Sequence, residues 1–238
     1  MLKAKAGLVG LASRFESGGE RAEAILPALM KALEKNGVDV VPAGKVVWDM
    51  ADAVEVAEQM ARSDVDALVL AHLSWVQDSV QYILQTTVNK PALLWSVPYA
   101  ETFSMACVQH FGSVLASRGA VYEYASGLPE DAEPVAKAVY FARAAAAAAK
   151  LKDSFVGMIG PRQTWRIAGP QDTTQEEWDF TEQFGLRIVH IETEELRGEA
   201  RAVSGADAHA LLNEKRAAYP AFAYEAEDER LLYAAKIY

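Results

Sequence analysis

The run Val65-Asp66-Ala67-Leu68-Val69-Leu70-Ala71-His72-Leu73-Ser74-Trp75 constrains this chain more than any other stretch. Its apolar segment is unbroken, too short for a helix of ordinary length, and followed at once by polar and aromatic residues. That is the pattern of a strand buried on both faces. Such strands belong to parallel sheets, which hold ligands beyond the carboxyl ends of their strands. The pattern therefore predicts Leu68 to Leu73 in mid-sheet, with His72, Ser74 and Trp75 at the tip, projecting toward whatever the protein binds.

The residues before and after it repeat one theme. Ala6 to Ala12 reads as a first buried strand, leaving through Ser13-Arg14-Phe15-Glu16-Ser17-Gly18-Gly19 into a helix from Glu20 to Lys35 with Ile25, Leu29, Met30 and Leu33 on one face. Asn36-Gly37 supplies a left-handed stop. Val38 to Val41 follows as a strand, and Asp49 or Asp52 can cap a helix carrying Val54, Ala57, Met60 and Ala61. After Trp75 come a helix through Val80, Ile83, Leu84, Thr87 and Val88, a strand from Ala92 to Val97, and a tip at Pro98-Tyr99-Ala100-Glu101-Thr102. A helix from Phe103 to Ser117, a strand from Ala120 to Tyr124 and a helix from Pro134 to Lys150 complete five alternations. Right-handed crossovers turn these into an open, doubly wound parallel sheet of flavodoxin-like order. The alanine run Ala144 to Ala149 sits inside that last helix and reads as close packing.

Ser154 to Pro161 looks like a first strand again, so the α/β plan is two consecutive Rossmann-like units, 1–152 and 153–238, the second incomplete. Thr173-Thr174-Gln175-Glu176 can form a capping box for a helix through Trp178, Phe180 and Phe184 that closes at Gly185. Arg187 to Ile191 is the partner strand, and Ser204-Gly205-Ala206-Asp207 can start another helix. The last segment, Glu225 to Tyr238, has helical spacing and no stop signal, which suggests that more protein follows.

Composition narrows the partners. A formal charge of -10 with no basic run argues against nucleic acid, whose phosphates demand clustered Lys and Arg. A neutral or cationic small ligand fits better. One cysteine, Cys107, leaves no internal disulfide framework, so a reducing cytoplasm is the simplest home. No run reaches the ~18 apolar residues of a membrane span.

Five stretches carry a resemblance: Ala43-Gly44-Lys45-Val46-Val47-Trp48-Asp49, Val65 to Trp75, Lys90-Pro91-Ala92-Leu93-Leu94-Trp95, Phe155 to Arg162, and Phe184-Gly185-Leu186-Arg187-Ile188-Val189. In order and spacing they resemble the first two domains of the L-fucose and L-arabinose isomerase superfamily. The resemblance implies interconversion of an aldose and a ketose through an enediol, assisted by Mn2+ held by carboxylates and a histidine. It places the metal and catalytic residues in later domains, so this chain is expected to be catalytically incomplete, with no metal of its own. It also implies a homo-oligomer, a hexamer in the family, in which tips of the first domain reach a neighbour's active site. The matching positions here are Trp75 and Arg14.

A tryptophan face suits the C–H surface of a monosaccharide, and a guanidinium donates paired bonds to hydroxyls. Two readings nevertheless stand for each. Trp75 also suits a residue covering the edge of the core, and Arg14 an ion pair with Glu16 or Glu20. His72 and Glu101, from adjacent tips, can meet a ligand, with Glu16 and Tyr99 in the same crevice; a histidine bonded to its own loop is the other reading of His72. Cys107 and His110, three apart on a helix, give only a weak metal pair. Ser17-Gly18-Gly19-Glu20 can offer backbone N–H groups to an anion but matches no phosphate-loop or dinucleotide fingerprint. Arg162-Gln163-Thr164-Trp165-Arg166 reads as cleft lining or as a linker paired with acidic surface. Beside the isomerase stand two other functions: a non-catalytic sugar-binding or sensing module, and an assembly domain.

Overall fold

The structure is a computed structural model that describes residues 3–159, 177–219 and 228–238. The chain divides into two compact units, Met1–Lys150 and Leu151–Tyr238.

In the first unit five parallel strands, β1 (Ala4–Leu11), β2 (Val38–Val47), β3 (Ala67–His72), β4 (Ala92–Ser96) and β5 (Tyr122–Ser126), lie in the order β2-β1-β3-β4-β5. They alternate with α1 (Ala22–Lys35), α2 (Met50–Arg62), α3 (Asp78–Val88), α4 (Ser104–Ser117) and α5 (Ala132–Lys152). This is the flavodoxin-like arrangement of an α/β fold. The two-residue strand period sorts the central side chains between two cores. Leu68 and Leu70 of β3 and Leu94 of β4 pack with Val56, Met60, Leu84 and Phe111 of α2, α3 and α4. Val69 and Ala71, with Leu93 and Trp95, pack with Leu29 and Leu33 of α1 and Val135, Ala138 and Ala142 of α5. Every residue of β3 is buried. The alanine run turns Ala145 and Ala146 inward while Ala144, Ala147 and Ala148 remain exposed.

Local chemistry fixes the boundaries. Asp49 caps α2 by accepting from the N–H groups of Ala51 and Asp52 at 3.0 and 3.1 Å, and Asp52 answers by accepting from Trp48 N at 3.1 Å. Gly37, at φ 83°, closes α1. The β2 strand runs six residues past Val41, and its register with β1 shifts between Leu8 and Gly10, opposite Pro42 and Val46. β5 begins and ends two residues later than the sequence pattern predicts.

The second unit pairs β6 (Phe155–Ile159) in parallel with β7 (Arg187–Ile191) in a two-stranded sheet. Its helices among the described residues are α6 (Glu177–Phe184), α7 (Thr193–Ala202), α8 (Gly205–Ala218) and α9 (Asp228–Ile237), with α9 packed on α7 and α8. Gly185 follows α6 at φ 71°, and Ser204 caps α8 by accepting from Asp207 N. The proposed capping box at Thr173-Thr174-Gln175-Glu176 lies outside the described residues. Among those described, no helix is long and apolar enough to cross a membrane.

Candidate functional site

The chain leaves β1 toward α1 on one face of the sheet and leaves β3 toward α3 on the other. The two exit loops diverge, and a crevice opens beyond their carboxyl ends. It measures about 200 Å³ and is lined by Ser13, Arg14 and Phe15 after β1, by Trp48 and Asp49 after β2, and by Val76 and Gln77 after β3.

Its walls are fixed by bonds between loops. Ser13 N donates to Ser74 Oγ at 2.8 Å, Leu73 N to Leu11 O at 2.8 Å, and Trp75 N to Thr102 O at 2.8 Å. The guanidinium carbon of Arg14 lies 5.3 Å from the centre of the Trp48 ring. Lys45 Nζ sits 2.8 Å from Asp52 and 2.6 Å from Glu55. That hydrogen bond from Lys45 holds the Asp52 carboxyl below its usual range, helped by the bond from Trp48 N and, more weakly, by the charge of Arg14. The crevice thus offers an aromatic surface, a guanidinium, an amide and a carboxylate. A polyhydroxylated ligand is recognised by just these groups.

Of the residues singled out from the sequence, Arg14 is in this crevice and exposed, with Glu16 half-buried in the same loop. No ion pair joins Arg14 to Glu16 or Glu20 among the described residues. Glu20 instead accepts from Gly18 N at 2.8 Å, and its own backbone N–H, followed by that of Gly18, lowers its pKa. The loop's would-be anion cradle is filled in part by the chain's own carboxylate. Tyr99 and Glu101 meet elsewhere, at the β4 tip, around Arg21: its guanidinium lies 4.1 Å from the Tyr99 ring centre and 2.7 Å from Glu101 Oε1. Trp75 is half-buried against the core, its ring 5.6 Å from that of His110.

His72 and Ser74 do not project. Both are 0% exposed. His72 continues the row of Leu68 and Leu70, so strand alternation turns it toward α3, where its Nε2 meets Gln81 Oε1 at 2.7 Å and its Nδ1 stands 2.9 Å from Leu70 O. Burial pushes its pKa below 6.5. It is not brought together with Glu101.

Cys107 and His110 also part ways. Cys107 is buried against Val76, which pushes its thiol up to about 11, while His110 faces outward and pairs with Asp78 at 2.9 Å. Among the described residues no three His, Cys, Asp or Glu side chains are placed to hold a metal ion. The Mn2+ that the resemblance implies has no ligand set among them. The cluster from Arg162 to Arg166 lies outside the described residues.

Sequence reasoning gave Trp48, Asp49, Gln77 and Arg21 no binding role. The available signal was Trp48-Asp49 itself, an aromatic and a carboxylate at the end of a strand beside the switch point. What the fold and crevice define is a flavodoxin-like α/β domain with a polar-aromatic cleft at its switch point. No protein-family model matches the chain, and no curated protein does.

Proposed function

We propose that the first unit is a sugar-facing domain of an aldose–ketose isomerase similar to L-fucose isomerase, contributing pocket and subunit-interface surface to catalytic groups carried by other domains. The observation that carries this reading is the stacking of Arg14 on Trp48 inside the switch-point crevice. The indole offers a flat C–H-accepting face, and the guanidinium offers N–H donors in a fixed fork, so a ring with several hydroxyls is held by both at once. Arg14 is also one of the two positions that the resemblance assigns to the sugar. Trp75, the other, carries a part-exposed indole on the loop that supplies Val76 and Gln77.

A self-contained sugar-binding module is the second reading, favoured by the crevice being lined wholly by residues of one unit. Calorimetry with L-fucose and L-arabinose separates the two. A domain that supplies part of a pocket binds at roughly millimolar strength, whereas a receptor reaches about micromolar. Arg14→Ala and Trp48→Ala should each abolish the weak heat. If neither sugar binds, or if both variants bind as the wild type does, the reading is wrong.

A further inference from the structure

We propose that His72 and Gln81 are positioning residues that clamp the crevice wall formed by Val76 and Gln77, an inference that rests on the crevice being the ligand site.

The residues from Leu73 to Gln77 have no regular secondary structure, yet their ends are held by buried side chains. Gln81, 0% exposed on α3, donates from Nε2 to Val76 O at 3.0 Å and toward Cys107 Sγ at 3.4 Å. Val76 N donates to the same sulfur at 3.3 Å. With its amide nitrogen committed there, Gln81 turns Oε1 to His72 Nε2 at 2.7 Å. Gln81 Oε1 and Leu70 O, the latter 2.9 Å from Nδ1, both only accept, and a neutral ring has one proton to give; the shorter bond to the committed amide assigns it to Nε2, leaving no hydrogen bond at Nδ1. The reversed amide would set Gln81 Oε1 against Val76 O, two acceptors 3.0 Å apart, and the clamp would open. Ser104 Oγ completes the anchorage by donating to His72 O at 2.6 Å. The chain of bonds runs from the end of β3 through α3 to the backbone of the wall.

Cys107 is the only cysteine of the chain and lies under Val76, so its labelling by dithiobis(nitrobenzoate) reads opening of this loop directly. The test compares Gln81→Leu with Gln85→Leu. Gln85 is also a buried amide of α3, but it bonds Lys90 O at the far end of the helix. After correction for urea-measured stability, Gln81→Leu should label about tenfold faster than Gln85→Leu, the equivalent of one buried hydrogen bond. His72→Phe should match it, and the double variant should exceed neither. Equal labelling in the two glutamine variants, or multiplying effects of the Gln81 and His72 changes, overturns the clamp.

Should these variants fail to fold, 15N spectra of the unaltered protein decide: a protonated Nε2 on His72 supports the clamp, and a bare one overturns it. L-arabinose binding that falls about tenfold in Gln81→Leu but not in Gln85→Leu ties the clamp to the crevice. A wild type that binds no sugar overturns the proposed function alone, because labelling and the imidazole spectrum judge the clamp without any ligand.

Discussion

Gly18 is seated directly on the backbone of Leu73: a Cβ placed on it would lie 2.1 Å from Leu73 O. Its φ of 123° is a conformation that residues with side chains rarely adopt. The β1 exit loop can therefore lie against the β3 exit only because residue 18 has no side chain. Gly18→Ala should cost about 2–4 kcal/mol in urea unfolding, since a backbone atom cannot give way. Gly44→Ala, at φ 77° with open space around it, should cost only about 1–2 kcal/mol. Equal losses would show that Leu73 has room to move.

Acid should weaken the first unit through His72. Burial holds the folded pKa below 6.5, so the unfolded chain takes up a proton first as pH falls. Stability from this group is complete above about pH 6.5 and is lost as pH drops below it, until the folded pKa is passed. The slope can reach about 1.4 kcal/mol per pH unit. Urea titrations between about pH 5 and 7.5 should show this slope in the wild type and lack His72's share of it in His72→Phe. An unchanged slope in the variant would assign the acid limb to other groups.

Arg21 holds the β4 tip by two different contacts, the Tyr99 face and the Glu101 carboxylate. Glu101 is exposed, so solvent screens its ion pair and Glu101→Gln should cost little. Arg21→Ala loses the stacking as well and should cost more, by up to about 1 kcal/mol. The ranking in chemical denaturation is the check, and a reversed order would make the ion pair the main contact.

Leu70 lies at the centre of the sheet with 0% exposure. Leu70→Ala should lower stability by about 2–5 kcal/mol through lost burial and the cavity left behind. A loss under about 1 kcal/mol would mean that α2 and α3 collapse onto the gap.

The strands and their order were legible because burial on both faces writes a long apolar run, as in β3, and Asn36-Gly37 and Asp49 mark helix ends by local chemistry. The fate of His72 was legible only in part: a histidine bonded to its own stretch of chain was one of its two readings, and Nδ1 lies 2.9 Å from Leu70 O. Its partner, Gln81, lies nine residues on, on the next helix, and looks from sequence like any polar residue of an amphipathic pattern. Arg14 was legible as a residue of the β1 exit and does line the crevice there, but its companion Trp48 was not singled out, because contact between the β1 and β2 exits depends on how far β2 extends. The Tyr99 and Glu101 pairing was half visible; Arg21, which joins them, stands 80 residues from Glu101.

The register slip of β2 has a bearing on solubility. β2 is the outermost strand on its side, and such a margin invites a stranger's backbone to zip on. Pro42 removes one donor from that margin, and the kink at Gly44 bends the next residues out of line. A long, flat template for fibril growth is thereby denied at this flank of the sheet.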